Sequence, residues 1–201
     1  MEQVRKVIDT AWGMFRRFGV RSVSMDDVAR EMSISKKTLY RCFRDKNDLI
    51  IQTINKDLEV IKEQVDKILN AEPHPVKQVL QIANFVSSYL KDVNPSMIYD
   101  LQKYHPELHH HFITYRKNTF LEKVTKNLQR GIEQGFYRAD IDVLSVANLY
   151  LCLMDHGPEI LAGGKENINY ADLYTQIMKY HLHAITTPEG LTAAETFIQE
   201  K

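Results

Sequence analysis

Between Ser35 and Lys46 the sequence SKKTLYRCFRDK sets Lys36, Lys37, Arg41, Arg44 and Lys46, with the hydroxyls of Thr38 and Tyr40, around only two apolar side chains, Leu39 and Phe43. Those two lie four apart and face inward on a helix, which turns the basic and hydroxyl groups outward or sideways. The chemistry such a surface performs is recognition of an anion. The first turn of a helix already offers free N–H groups and the positive end of its dipole. Adding Lys36 and Lys37 there is unfavourable for the helix alone and points to an anionic partner. A hydroxyl such as Thr38 or Tyr40 positions a phosphate, whereas a lysine at a helix start can donate to guanine O6 and N7. The candidate nucleic-acid contacts are Ser24, Ser35, Lys36, Lys37, Thr38, Tyr40, Arg41, Arg44 and Lys46, flanked by Arg16 and Arg17.

These residues need elements to hold them, and the flanking sequence supplies strong helix signals. A first helix carries Val4, Val7, Ile8, Ala11, Phe15 and Phe18 on one face and stops at Gly19, a left-handed cap position. Ser24 is the N-cap of a second helix with Asp27 as its capping-box partner, and its apolar face is Met25, Val28, Ala29 and Met32. After a short turn at Ser33 and Ile34 the pattern repeats with Ser35 as N-cap. Two short capped helices joined by a tight turn have the form that places the start of the second helix in a DNA major groove. A long fourth helix is expected from Asp45 to Leu69, stopped by Pro73 and Pro75. Further helices are expected at about 76–92, 95–104, 106–134, 140–163 and 169–186, broken at Pro95, Pro106, Gly135 and Gly163-Gly164. No run alternates as a strand would, so the fold class is all-α: an N-terminal three-helix helix-turn-helix domain over 1–48 and a C-terminal helical domain over 49–186. The tail, 187–201, is expected to be mobile or loosely packed.

The chain has 201 residues, 44% of them hydrophobic, enough to bury a real core. Its net charge of zero hides an asymmetry: residues 1–48 hold 11 Lys and Arg against 7 Asp and Glu, leaving 15 against 19 for the rest. The basic end is the one with the anion-recognising stretch. Cys42 and Cys152 stand in unrelated segments without a metal-binding spacing, so neither a disulfide framework nor a zinc finger is indicated. No apolar run reaches membrane-spanning length, and the charged N-terminus is unlike a secretory signal, so the expectation is a cytoplasmic protein with no membrane partner.

The segments AWGMFRRFG (11–19), SMDDVA (24–29) and SKKTLYRCFRDKNDL (35–49) together resemble the DNA-binding domain of the TetR/AcrR transcription regulators. The resemblance implies a homodimer that binds a palindromic operator in double-stranded DNA, with a helical body that dimerises and binds a small-molecule effector. It implies phosphate contacts from Thr38, Tyr40 and Lys46 and base contacts from Lys36 and Lys37. Three positions depart from the family pattern: Ser33 where Gly is frequent, Lys37 where a small residue is frequent, and Cys42 where an aromatic or His is frequent. The expected mechanism is repression relieved when an effector shifts the separation of the two heads, with the long helix as lever. The alternative is a DNA-binding architectural protein that senses no small molecule.

Three other groups bear on function. The stretch YHPELHHH (104–111) is rich in histidine, but His109, His110 and His111 point about 100° apart on a helix, so structural or solvent-facing roles are expected. Asp155 and His156 are helix neighbours that diverge, and no nucleophile stands near them; no catalytic residue, metal or cofactor is expected. A body rich in Tyr and Met fits a semi-polar pocket. By the family resemblance, Tyr89, Tyr99, Tyr104 and Tyr150 are its candidate lining. The helix near Val143–Leu161 is apolar too far round for one neighbour, since Leu144, Leu149 and Leu153 accompany Ala147, Leu151 and Met154. With a last helix carrying Leu173, Ile177, Tyr180 and Ile185 it is expected to form a four-helix dimer interface.

Overall fold

The computed structural model describes residues 2–94, 96–162 and 169–199, and in them the chain forms ten helices: α1 (Glu2–Phe18), α2 (Met25–Glu31), α3 (Lys36–Cys42), α4 (Lys46–Ala71), α5 (Pro75–Leu90), α6 (Ser96–Tyr104), α7 (Pro106–Glu133), α8 (Val143–Ala162), α9 (Tyr170–Ile185) and α10 (Pro188–Gln199). The only β pairing among the described residues is an isolated bridge between Tyr137 and Thr186. The expected break at Gly163-Gly164 lies outside the described residues. None of the described helices is long and apolar enough to cross a membrane.

The chain divides into two compact units, residues 1–61 with 92–114, and residues 62–91 with 115–201. The expected division after residue 48 therefore differs from the observed one. The first unit keeps half of α4 and also takes α6 and the start of α7.

The interior of the first unit is built from Val7, Ala11 and Phe15 of α1, Val28 and Ala29 of α2, Leu39 of α3, Leu49, Ile50, Ile54 and Leu58 of α4, and Met97 and Leu101 of α6. Burying each Val, Leu, Ile, Met or Phe side chain among them contributes roughly 1.5–3 kcal/mol, which is what makes short helices like α2 and α3 stable in this setting. Phe18, expected on the inner face of α1, is instead half exposed, with the Arg17 guanidinium 5.1 Å from its ring centre. The helix ends there because Gly19 reverses the backbone at φ +81° and its N–H returns to Phe15 O at 3.0 Å, so nothing follows to cover the ring. Asp57 of α4 is buried with Arg16 and Trp12 of α1 as its neighbours, and burial raises its pKa to about 7 despite their opposing pull.

In the second unit two apolar clusters form the core: Val76, Leu128, Tyr137, Ala147, Leu182, Ile185 and Ala194 in one, Met154, Tyr174 and Met178 in the other. A buried polar chain ties the first cluster together. Tyr137 OH donates to Asn127 at 3.1 Å, Asn127 donates to Gln78 at 2.8 Å, and Gln78 donates to the Leu69 and Glu72 carbonyls at 2.9 and 2.7 Å, closing the C-terminal end of α4. The described part of the tail, residues 187–199, is not loose, contrary to expectation. Pro188 opens α10, Thr187 Oγ1 accepts the Gly190 N–H at 3.1 Å, and a Cβ at Gly190 would come within 2.0 Å of Phe136 O. Ala194 is buried, and Phe197 packs on His74 with ring centres 4.9 Å apart. Small residues on its inner side let α10 dock closely, a signal that hydrophobic periodicity hardly registers.

Candidate nucleic-acid interface

The α2–α3 turn fixes where α3 points. Met32 ends α2, Ser33 adopts a left-handed φ of +54°, and two hydrogen bonds close the turn, Ile34 N to Ala29 O and Ser33 N to Arg30 O, both 3.0 Å. This is a Schellman closure with Ser33 at the position glycine usually takes. At the start of α2, Ser24 and Asp27 make the full capping box: Asp27 N–H donates to Ser24 Oγ at 3.2 Å and Ser24 N–H to Asp27 Oδ2 at 2.9 Å. The Ser24 hydroxyl, which donates to Asp27 Oδ2 at 2.6 Å, and after it the Ser24 N–H hold the Asp27 carboxylate below its usual pKa. Ser35 caps α3 by accepting the Thr38 N–H at 3.1 Å, and its hydroxyl lies 2.8 Å from Thr38 Oγ1. Ser24, Ser35 and Thr38 thus spend hydroxyl contacts on the helix starts themselves.

What α3 presents outward is Lys36, Lys37, Tyr40 and Arg41, all exposed, with Tyr40 at 51%. An exposed tyrosine of that size on a helix whose other face is closed off by fully buried Leu39 is available for contact. The Lys36 ammonium pairs with Asp26 across the turn, an exposed ion pair of little net worth that a phosphate or base can exchange. Arg44 is exposed, with its guanidinium 3.2 Å from Asp45 and its backbone N–H donating to Asp48 Oδ2 at 2.8 Å. Asp48 N–H in turn donates to Asp45 at 2.8 Å, so the predicted start of the long helix stands. Lys46 sits deeper, half-buried at the first residue of α4. Burial lowers its pKa, against the pull of Asp100 on α6 and Asp27 on α2.

The four candidate effector tyrosines are not gathered into one cluster. Tyr99 and Tyr104 belong to α6 of the first unit and are exposed, their hydroxyls accepting hydrogen bonds from Lys103 and Arg21, both at 2.9 Å. Tyr89, half-buried on α5, lies 6.0 Å from the Phe85 ring. Tyr150, itself half-buried, is the one with buried polar neighbours: its hydroxyl is 3.5 Å from that of Tyr174, and its ring lies tilted against His181 with centres 4.6 Å apart. Burial pushes both tyrosine hydroxyls up in pKa and the His181 imidazole down to about 4. Tyr174 and His181 escaped the sequence reading because they resemble ordinary inner-face residues of an amphipathic helix.

Of the histidine-rich stretch, His105 precedes α7 as its cap, His111 Nε2 lies 2.9 Å from Asn55 Oδ1, and His110 is exposed. Among the described residues no three His, Cys, Asp or Glu side chains converge as metal ligands would. Asp155 is buried and pairs with Arg116 at 2.7 Å. Cys42 is half-buried, Cys152 exposed, and both are free thiols.

Residues 7–53 match the family model of bacterial regulatory proteins, tetR family. An HTH-type transcriptional regulator of Staphylococcus aureus (strain USA300) is 32% identical over 82 residues, a match covering 41% of this chain and 44% of the relative's length. Solved structures share the fold across nearly the whole chain. A TetR-family transcriptional regulator from Agrobacterium tumefaciens superimposes with a TM-score of 0.73 at 16% identity, covering 92% of this chain and 98% of its own. A protein from Saccharomonospora viridis, solved in complex with choline, gives 0.72 at 16% identity with the same coverage, 92% and 98%.

Proposed function

The chain being TetR/AcrR-like in its first fifty residues and in its fold, we propose that it is a DNA-binding transcriptional regulator, a homodimeric repressor released from a palindromic operator by a small-molecule effector. The observation that carries this reading is α3. It is a capped helix pinned by the Schellman turn at Ser33, with Leu39 buried and Lys36, Lys37, Tyr40 and Arg41 all turned outward. In a major groove, Lys36 and Lys37 at the helix start face base edges, while Tyr40, Thr38, Arg44 and Lys46 hold phosphates.

Two further observations support the finer parts. Leu144, Leu149 and Leu153 of α8 are 57%, 63% and 38% exposed, and Tyr180 of α9 is 69% exposed, an apolar surface that a second copy would cover through the same two helices. The buried group of Tyr150, Tyr174 and His181 offers polar atoms beside Met154 and Met178, a combination suited to a largely apolar effector with one polar end. That a protein of this fold was solved with choline supports a small-molecule role for the body. As a repressor, the dimer blocks transcription from two major grooves about 34 Å apart, from within the cytoplasm.

The division of labour on α3 is the test. Tyr40→Phe is expected to weaken binding to cognate and scrambled duplexes alike, because a phosphate contact carries no sequence. Lys37→Ala is expected to change base preference at one position of each half-site, with about 1–3 kcal/mol of discrimination lost there. Equal losses on cognate and scrambled DNA for Lys37→Ala would remove Lys37 from the base-reading role. Binding that never distinguishes sequences, with no small molecule stabilising the protein, favours the architectural alternative.

A further inference from the structure

Tyr99 and Tyr104 of α6 are 44% and 40% exposed, and each holds a cation on the surface of the first unit. Lys103 Nζ donates to Tyr99 OH at 2.9 Å and lies 5.2 Å from the centre of that ring and 5.6 Å from the centre of the Tyr104 ring. Arg21 Nη1 donates to Tyr104 OH at 2.9 Å, and its guanidinium lies 4.8 Å from the same ring. One tyrosine ring is thus shared by two cations. The backbone of Arg21 is fixed as well, since its N–H donates to Asp100 Oδ2 at 2.9 Å. The hydrogen bond to Tyr99, and after it the nearby Tyr104, raise the pKa of Lys103 above the usual lysine value, with the Arg21 charge opposing. Two like charges are therefore within reach of each other on exposed side chains, and among the described residues neither has a carboxylate at ion-pair distance. Drawing two cations together without an acid between them is unfavourable for the protein alone, and an anion supplied from outside relieves it.

The patch is continuous with the residues already assigned to phosphates. Arg21 stands three residues before Ser24, the N-cap of α2. Burial lowers the pKa of Lys46 at the start of α4, and Asp100 is the first of the two carboxylates that pull against it. Burial and then the Lys46 charge lower the pKa of His105, the residue after Tyr104. Lys46 thus lies within electrostatic reach of both Asp100, which holds Arg21, and His105, which follows the second tyrosine. A row of cations runs from Lys46 to Arg21 and Lys103, with tyrosine rings between them, and a row of phosphates is the anion that matches it.

We propose that Arg21 and Lys103, held in place by Tyr104 and Tyr99, form a second phosphate-binding surface that takes the DNA backbone beyond the phosphates reached from α3 and the start of α4. The proposal rests on the DNA-binding reading above and extends its interface to α6. Neither side chain reads bases. They add affinity and salt dependence to every sequence alike.

The test compares the wild type with the double variant Arg21→Gln, Lys103→Gln on the duplex the wild type selects, with melting curves to show that each protein is folded at the assay temperature. Each neutralised phosphate adds about 0.9 to the slope of log affinity against log salt. With two such contacts from each protomer, the wild type is expected to lose about a hundredfold more affinity than the double variant between about 50 and 200 mM salt. The preference for selected over scrambled duplex is expected to be the same in both proteins. Ethylation of single phosphates supplies the positional readout. At least one phosphate in each half-site is expected to block the wild type when ethylated and not the double variant, while those assigned to Tyr40, Arg44 and Lys46 block both. A folded double variant with the wild-type salt slope overturns the proposal. So does a reduced slope with an unchanged set of blocking phosphates, because the two charges then act only from a distance. If the double variant does not fold, Lys103→Gln alone changes one exposed side chain and is expected to narrow the loss about tenfold over the same salt range; an unchanged slope there overturns the proposal equally. Failure of the wild type to bind any duplex is a separate outcome, and it removes the DNA-binding reading itself.

Discussion

Ser33 is a place where the backbone demands one residue and the sequence supplies another. Its φ of +54° lies in the left-handed region, where a side chain brings Cβ against the neighbouring carbonyl at roughly 1–2 kcal/mol. Replacing it with glycine removes that strain but lets the unfolded chain explore more states, which returns roughly 0.5–1 kcal/mol. The net expectation for Ser33→Gly is a gain of roughly 0.5–1 kcal/mol, because the two hydrogen bonds that close the turn come from backbone groups and survive the change. Ser33 is exposed, so no packing is lost. Trp12, the single tryptophan, lies half-buried on α1 in the same unit and reports its unfolding by fluorescence. With a slope of about 2 kcal/mol per molar urea, the midpoint is expected to rise by about 0.3–0.5 M. Ser33→Ala keeps the strain and serves as the control, with no gain. If the glycine variant is no more stable than the alanine variant, backbone strain is not what distinguishes this turn.

Asp57 makes a prediction in pH. Its carboxyl pKa rises from 3.8 to about 7 in the folded unit, so the associated stability is complete below the unfolded value and is lost as pH climbs through 7. Between pH 4 and 8 the wild type is expected to lose up to about 4 kcal/mol from this group, and Asp57→Asn to abolish that slope; Trp12-detected urea curves at several pH values measure it. Wild-type and Asp57→Asn stabilities that run parallel across this window contradict the burial argument. At the proposed dimer face, Leu149→Glu puts a charge on a residue that is 63% exposed in the single chain. It is expected to leave the helical content intact while sedimentation shows a monomer, and an unchanged dimer would place the interface elsewhere.

Local signals were legible in the sequence. The Ser24 and Ser35 caps, the stop at Gly19, the start of α4 at Asp45 and the outward set on α3 follow from spacing and side-chain chemistry within a few residues, and the structure has each in its expected place. Features that depend on distant partners were not. Asp100 looks like a surface residue until Arg21, 79 positions away, is brought beside it, though its place between Met97 and Leu101 on the buried face of α6 was a usable sign. Tyr99 and Tyr104 were grouped with Tyr89 and Tyr150 because aromatic composition says nothing about which compact unit a helix joins. The docking of α10 rests on Gly190 and Ala194, whose smallness gives almost no hydrophobic signal yet decides how closely the helix approaches.

The central claim is sequence-specific recognition of duplex DNA by α3, and the direct measurement is selection of bound duplexes from a random library by the purified protein, followed by titration of the selected duplex at several salt concentrations. The account predicts enrichment of a two-fold symmetric site, a preference of at least about a thousandfold over scrambled DNA, and affinity that falls steeply with salt as counterions are released from phosphates neutralised by Arg44, Lys46 and the other Lys and Arg side chains of the interface. Absence of any enriched duplex, or equal affinity for selected and scrambled DNA at every salt concentration, would contradict it.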